Sequence, residues 1–300
     1  MRRLLSSDAL LLLTVAMWAI NVTVTRYVLT HGFLPLAYAS VRYAGAAILS
    51  ALIALALERT LAVHGRRATL LLAAAVLLLY VNQLSFVYAL DLTTATTVSL
   101  ILGTTPIFTA GIATAIGLER MTPRFWIAAL TSFAGVALVA VGSGGELSAD
   151  IGGELLALAL AATWAAYSVC LAPLMREYSP YRLSGLILLL TTALLLLTSI
   201  GALGDQNFGA VSGLEWAAFA YAVVGPLVLT NVFWFTAVGR VGPSRATLFG
   251  NLQPFVAVLF AVVILSESLS AVQVVGGVLI GIGIVIGRVR ARVPAAAPAE

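Results

Sequence analysis

The stretch GTTPIFTAGIATAIGLER at residues 103–120 returns in altered form as NLQPFVAVLFAVVILSES at residues 251–268. In each copy a proline, Pro106 or Pro254, stands inside an apolar run, and a glutamate, Glu119 or Glu267, follows thirteen residues later. The two prolines lie 148 residues apart in a chain of 300. The sequence therefore predicts two tandem copies of one structural unit.

Residues outside these stretches repeat at nearly the same distance. Matched pairs separated by 146 or 148 residues are Asp8 with Glu154, Trp18 with Trp164, Gln83 with Asn231, Phe86 with Trp234, and Gly135 with Gly283. Duplicated apolar units are typical of membrane transporters, whose substrate site lies between the copies. The repeat thus indicates a class of mechanism, although it does not indicate a substrate.

The composition places most of the chain in a membrane. The chain is 61% hydrophobic and 9% charged, and its mean hydropathy is +1.07, whereas soluble domains carry roughly 25% charged residues. All 16 basic residues are arginines, and all but Arg42 are scattered among short connections and the chain ends, so the net charge of +4 predicts no nucleic-acid partner. The single Cys170 excludes an intrachain disulfide.

Ten segments contain the roughly 20 mainly apolar residues that a membrane span needs. They are 8–29, 34–57, 68–90, 93–117, 124–142, 153–175, 181–203, 214–238, 243–265 and 270–288. The first follows Arg2 and Arg3 as in a signal peptide, but no small-residue cleavage site ends it, so we expect an uncleaved span. We predict one five-helix repeat at 1–145, a second at 146–292 and a disordered tail at 293–300.

The arginines predict the orientation of the chain. If the N-terminus lies in the cytoplasm, fourteen arginines fall in cytoplasmic segments and only Arg26 falls in an outer one. Cytoplasmic connections of membrane proteins carry such an excess of basic residues. Both termini are then expected in the cytoplasm. Since each repeat has five spans, an odd number, the second repeat is expected to be inverted relative to the first.

These residues make the chain resemble the drug/metabolite transporter superfamily, in particular its ten-helix EamA-type members. The matching residues of the first copy are Trp18 with Asn21, Val41-Arg42-Tyr43, Thr105-Pro106-Ile107-Phe108, Glu119-Arg120 and Gly135. Those of the second copy are Trp164 with Tyr167, Gln253-Pro254-Phe255, Glu267, Gln273, Gly276 and Gly283. The chain looks most similar to the YddG-type exporters of aromatic amino acids.

The resemblance implies an all-α membrane protein with ten transmembrane helices, arranged as two inverted five-helix repeats around a central cavity. It implies export of small organic solutes by alternating access. The expected solutes are amino acids, and the narrower resemblance to the YddG-type exporters implies aromatic amino acids. It further implies a bacterial inner-membrane protein in contact with the lipid bilayer, as a monomer or weak homodimer. No cofactor, catalytic residue or metal site is expected, because no HExxH pattern or paired intramembrane carboxylate occurs.

Arg42 is the most costly residue at membrane depth, about ten residues into the second span. No acidic residue lies deep in any span to pair with it. Its guanidinium could capture an anionic group of the substrate. Alternatively it caps carbonyl groups or extends toward the outer surface as a structural residue. The second copy has Leu188 at the equivalent position, so the two copies are not functionally equivalent.

Neutral amides and aromatic rings share the central part of the spans. Gln83 and Asn231 are candidates to bind polar substrate atoms, or else to join helices by hydrogen bonds. Cavity-lining candidates on neighbouring helical faces are Trp18, Asn21, Tyr38, Tyr80, Trp164, Tyr167 and Trp234. Rings interleaved with amides suit a flat amphipathic molecule, although aromatic residues also serve as packing groups or interface belts.

Three further features have a functional and a structural interpretation. Pro106 and Pro254 are candidate hinges for a gating motion, or static kinks. Glu119 and Glu267 are candidates for proton coupling, but their positions at helix ends favour a structural role, with Arg120 or Arg124 as the expected partner of Glu119. Small-residue faces on the tenth span, Gly277 with Gly281 and Gly283 with Gly287, favour close packing within the chain over dimerisation.

Two other kinds of protein remain as alternatives to an amino acid exporter. One is a transporter of a different solute, such as a drug, another metabolite or a nucleotide sugar. The other is a membrane-embedded enzyme or a channel, which the sequence supports less well. Without a buried acid or histidine, facilitated diffusion or exchange is expected in place of proton coupling.

Overall fold

A computed structural model of the chain describes residues 5–93, 95–142, 151–265 and 270–287. These residues are helical, with no strand among them. The α-helices are α1 Ser7–Thr30, α2 Pro35–Glu58, α3 Arg66–Leu92, α4 Ala95–Leu102, α5 Thr105–Ala115, α6 Pro123–Gly142, α7 Ile151–Leu174, α8 Pro180–Thr198, α9 Ile200–Asp205, α10 Gly213–Val223, α11 Thr230–Val241, α12 Pro243–Gly250, α13 Gln253–Leu265 and α14 Ala271–Gly287.

The helices are long and apolar enough to cross a membrane. Among the described residues, eight helical stretches meet this criterion, and α14 is a shorter apolar helix of 17 residues. Together with the pair α12 and α13, they account for all ten spans expected from the sequence. The all-α membrane architecture predicted from composition is confirmed. The exact division at residue 145 stays a prediction.

Two equivalent spans are interrupted where the sequence predicts only bends. The fourth span divides into α4 and α5 at residues 103–104, and the ninth divides into α12 and α13 at residues 251–252. Pro106 and Pro254 each occupy the second residue of the helix that follows the break. Proline is tolerated in a first turn because its missing N–H would have had no intrahelical partner there. Proline therefore costs little free energy at these positions, directly after each break.

Equivalent helices of the two copies pack side by side in opposite directions. At one end of the α2–α8 pair, Ser40 near the start of α2 donates to Ser199 Oγ just after α8, at 2.7 Å. At the other end, Arg182 near the start of α8 donates to Glu58 at the end of α2, at 2.9 Å. The second and seventh spans, which the repeat makes equivalent, thus run antiparallel.

The fifth and tenth spans, α6 and α14, pack backbone against backbone. A methyl group added at Gly135 would lie 2.6 Å from the carbonyl oxygen of Gly276, and one at Gly283 would lie 2.7 Å from the carbonyl oxygen of Ala128. Residues without side chains let two membrane helices approach this closely. Gly283 therefore serves packing within the chain, whereas Gly281 on the same helix has no neighbour within 4 Å of such a methyl group.

One turn of the eighth span is a π-helix, which the sequence analysis did not predict. It covers Val224–Leu229, between α10 and α11, and the backbone N–H of Thr230 bonds the carbonyl of Gly225. Pro226 lies inside it and has no N–H to donate. Such turns occur often at functional sites because they redirect the helix and free carbonyl groups.

Several features predicted from the sequence fall on residues that the structure does not describe. They include Glu267, the boundary between the two repeats at 145–146, and the tail at 293–300. Their predicted roles stay predictions.

Candidate functional site

A cavity of about 140 Å³ lies in the middle of the helix bundle. Pockets for drug-sized ligands are typically about 300–1,000 Å³, so this one suits a small solute. Its walls come from both copies and from the broken spans. The lining residues are Trp18, Asn21, Val22, Arg42, Tyr43, Leu79, Asn82, Gln83, Phe86, Leu102, Thr105, Leu160, Trp164, Pro226, Leu227, Asn231, Trp234, Thr247, Gly250, Asn251 and Gln253.

Three tryptophans from three spans form one aromatic cluster on the cavity wall. The ring centroid of Trp18 lies 5.2 Å from that of Trp164 and 5.1 Å from that of Trp234. Trp164 and Trp234 are 5.6 Å apart. Such separations are typical of favourable aromatic pairs. Because the rings contact one another, they form one apolar cluster in the cavity lining.

The π-helical turn orients the first of these rings. The indole Nε1 of Trp18 donates to the hydroxyl of Thr230 at 3.0 Å and approaches the carbonyl of Pro226 at 3.4 Å. The Thr230 hydroxyl in turn donates to the Pro226 carbonyl. A π-helix leaves a carbonyl free for such contacts, which a regular helix would occupy. The irregular turn thus fixes the orientation of a cavity-lining side chain.

Arg42 lies on the cavity wall and is only 2% exposed. One terminal nitrogen donates to Gln83 Oε1 at 2.9 Å. The guanidinium carbon lies 5.1 Å from the ring centroid of Tyr38, 5.7 Å from that of Tyr43 and 5.9 Å from that of Phe86. These ring faces attract the cation. Among the described residues, the lining of the cavity contains no carboxylate to neutralise it.

A chain of amides holds Gln83 in position for this contact. The side-chain nitrogen of Gln83 donates to Asn82 Oδ1 at 3.2 Å. The nitrogen of Asn82 donates to the Leu160 carbonyl at 2.9 Å and to the Thr163 hydroxyl at 3.2 Å. This network links α3 to α7, so the acceptor for Arg42 is fixed by contacts between the two copies. Asn82 combines the two roles that the sequence left open for such amides, because it joins helices and also lines the cavity.

Three buried polar atoms in the lining have no hydrogen-bond partner in the part of the chain that the structure describes. They are Asn21 Oδ1, Arg42 Nε and Trp234 Nε1. An unsatisfied buried polar group costs about 1–3 kcal/mol. One acceptor and two donors of lining residues are therefore unsatisfied in the described part of the chain. A ligand with both a donor and an acceptor would satisfy them.

The lining follows the internal repeat in part. Pairs related by the repeat in which both residues line the cavity are Trp18 with Trp164, Leu79 with Leu227, Gln83 with Asn231, Phe86 with Trp234, Leu102 with Gly250, and Thr105 with Gln253. Arg42 has no such mate, because its equivalent Leu188 is buried elsewhere in the core. The cavity therefore lies between the copies, while its one charged group belongs to the first copy only.

Seven of the ten candidate binding residues line this cavity, and three do not. Those that line it are Trp18, Asn21, Arg42, Gln83, Trp164, Asn231 and Trp234. The ring of Tyr38 instead packs against the guanidinium group of Arg42, and the Tyr38 hydroxyl forms a hydrogen bond with the Thr25 hydroxyl at 3.3 Å. Tyr167 packs behind the cluster, 5.3 Å from Trp164. Tyr80 packs against the hydrophobic core.

Sequence reasoning missed several wall residues. Phe86 is the repeat equivalent of Trp234, so the offset alone could have identified it. Pro226 and Val22 carried no signal that separates them from ordinary apolar residues of a span. The proposed hinge residues Pro106 and Pro254 are outside the lining, although Thr105 and Gln253 beside them are part of it.

Glu119 lies apart from this cavity, at the end of the bundle. Its carboxylate accepts a hydrogen bond from the Ser244 hydroxyl at the start of α12. The contact therefore differs from the expected pairing with Arg120 or Arg124. Burial raises the pKa of Glu119 above its usual range, and the hydrogen bonds from Ser244 lower it in part. The carboxylate caps a helix of the second copy, which agrees with a structural role.

Fold and cavity together define a polytopic helical membrane protein built from two similar halves around a small central site. The model of the EamA-like transporter family matches the chain twice, over residues 5–141 and 151–287. The chain belongs to the EamA-like transporter family, and its members are membrane transporters.

Curated relatives and a solved structure agree with this assignment. An uncharacterized transporter of Bacillus subtilis strain 168, YyaM, is 25% identical over 71% of this chain and 70% of its own length. An uncharacterized transporter of Archaeoglobus fulgidus is 27% identical over 68% of this chain and 69% of its own length. A crystal structure with 19% identity aligns over 95% of this chain and 98% of its own, with a TM-score of 0.79, and shows the shared fold.

Proposed function

We propose that this transporter exports small amino acid-like solutes, including aromatic ones, and that it resembles the YddG-type exporters in this. The observation that carries the proposal is Arg42. It is a nearly fully buried cation on the cavity wall with a free Nε–H and no carboxylate among the described lining residues. An arginine side chain recognises a carboxylate through two parallel hydrogen bonds. A substrate carboxylate would supply the missing partner.

The three tryptophans of the cavity lining support an apolar or aromatic side chain on the substrate. The cluster of Trp18, Trp164 and Trp234 offers ring faces for stacking. The free acceptor of Asn21 suits a substrate ammonium group. An amino acid carries all three groups in one small molecule. A solute without a carboxylate would leave the charge of Arg42 unbalanced, which is costly at membrane depth.

The proposed mechanism is alternating access between two inverted repeats. It is supported by the antiparallel packing of α2 against α8, which are equivalent in the repeat. Further support comes from the breaks in the fourth and ninth spans, since both bring loop-like backbone beside the cavity. Rocking of one repeat against the other would expose the site to each side in turn. Pro106 and Pro254 begin the helices that would move and are the proposed hinges.

We expect the substrate gradient alone to drive this transport. The described cavity lining contains neither a carboxylate nor a histidine that could carry a proton. Purified protein in liposomes should show saturable flux of amino acids down their gradient. Accumulation driven only by a proton gradient would contradict the proposal. Flux that does not saturate with substrate concentration would indicate a channel. Chemical conversion of the solute during the assay would indicate an enzyme.

The proposed location is a bacterial inner membrane, with both termini in the cytoplasm. Orientation can be tested with single cysteines in a Cys170→Ser background. Gly209 and Ala62 are exposed and lie in connections expected on opposite sides. Gly209→Cys should react with an impermeant thiol reagent in intact cells, and Ala62→Cys should react only after lysis. The reverse labelling pattern would overturn the orientation.

A further inference from the structure

A second cavity, of about 390 Å³, lies at the end of the bundle where most arginines occur. Its walls come from the connection between α5 and α6, the end of α7, the segment joining α11 to α12, and the end of α14. Both repeats therefore contribute to it. Five arginines line it, namely Arg120, Arg124, Arg176, Arg240 and Arg245. None of them was a candidate binding residue in the sequence.

The charges of this cavity are poorly balanced. Among the described residues, its one carboxylate is Glu119, which is already bound to Ser244. Arg245 pairs with Asp8 at 3.2 Å. Within the described part of the chain, the side chains of Arg124 and Arg240 donate only to backbone carbonyls, those of Ile286 and Leu5. Like charges gathered around one concave surface repel one another and attract anions from solution.

Several side-chain donors around this cavity have no partner among the described residues. The guanidinium groups of Arg120 and Arg176 make no hydrogen bond or ion pair there, although both residues line the cavity. The Nε of Arg245 is buried and likewise has no partner in the described part of the chain. Helix α6 also begins at this cavity, so the positive end of its dipole adds to the potential there. Planar guanidinium groups bind phosphate oxygens through paired hydrogen bonds, which makes phosphate the best-matched anion.

We infer that this arginine-lined cavity is a binding site for a phosphate group, supplied either by an anionic phospholipid headgroup or by a soluble phosphate. The site is separate from the central cavity, with which it shares no lining residue. Because its walls belong to both repeats, a bound phosphate would hold the repeats together at this end. It would thereby stabilise the arrangement of the two repeats seen here, whatever solute the transporter carries.

The test measures the unfolding temperature of the full-length protein in nanodiscs. In phosphatidylcholine nanodiscs, inorganic phosphate is titrated against sodium chloride of equal ionic strength. A second sample contains a minority of phosphatidylglycerol, without phosphate. Ligands that bind only the folded state raise its unfolding temperature as their concentration exceeds Kd. A rise with phosphate beyond that with chloride indicates the soluble anion, and a rise with phosphatidylglycerol alone indicates the lipid headgroup.

Two double variants assign the effect to the cavity. Arg120→Gln with Arg176→Gln should remove at least half of the rise, because these side chains have no partner to lose among the described residues. The control, Arg66→Gln with Arg67→Gln, removes two exposed arginines outside the cavity and should keep the full rise. No rise in either wild-type sample would overturn the inference. An equal loss in both variants would also overturn it, since general charge screening would then be the cause.

Discussion

Replacing Arg42 by glutamine removes the positive charge from the described lining of the central cavity while keeping a polar side chain. The substitution tests the proposed contact between Arg42 and a substrate carboxylate. A hydrogen bond to a charged group contributes about 1.5–3 kcal/mol. Since about 1.4 kcal/mol corresponds to a factor of ten, transport efficiency for a carboxylate substrate should fall by about 10- to 150-fold. The neutral amide of the same substrate should lose much less.

Two companion variants separate charge from geometry. Arg42→Lys keeps the charge and loses the planar fork, so an intermediate loss is expected. Gln83→Glu places a carboxylate where Gln83 Oε1 now accepts from Arg42 at 2.9 Å. The new carboxylate would occupy the guanidinium and compete with the substrate. It should therefore reduce carboxylate transport while leaving the protein at least as stable to heat.

The assay is initial flux in liposomes at several substrate concentrations, for the carboxylate and its amide. Reconstitution yield and unfolding temperature show whether each variant is folded. Equal losses for both substrates would refute recognition and assign Arg42 to the fold or to the rocking motion. Unchanged flux in all three variants would mean that the guanidinium serves neither role. The proposed amino acid-like substrate would then lack its main support.

Three further predictions concern the walls, the helix contacts and the capping carboxylate. Trp164→Ala should impair flux in a protein that still folds, whereas a failure to fold would favour a packing role, since losing a packed tryptophan costs about 3–5 kcal/mol. Gly135→Ala should lower the unfolding temperature through a clash worth about 1–3 kcal/mol, whereas Gly281→Ala, which meets nothing within 4 Å, should not. Because burial raises the pKa of Glu119, its carboxyl group stabilises the fold at low pH, and this contribution to the free energy of unfolding diminishes as pH rises through the raised pKa. Glu119→Gln should therefore flatten this part of the stability–pH profile without lowering flux.

The sequence alone was sufficient to predict the all-helical membrane architecture of this protein. A chain that is 61% hydrophobic cannot build a water-facing surface, so its helices had to be placed in a membrane. The spans followed from the length of the apolar runs, and the duplication followed from the Pro106 and Pro254 stretches. Polar residues at membrane depth, such as Arg42 and Gln83, stood out because burying them is costly. Composition and spacing are local properties, and they can be read from one chain.

Only the tertiary structure decided which side chains face the cavity. In a membrane, the lipid side and the protein side of a helix are similarly apolar, so the pattern of residues does not indicate how the helix is rotated. The sequence favoured Tyr38 as a lining residue, yet Phe86 lines the cavity and Tyr38 packs against Arg42. The partner of Glu119 is 125 residues away, at Ser244. Contacts between distant segments depend on how the two repeats pack, which no local pattern specifies.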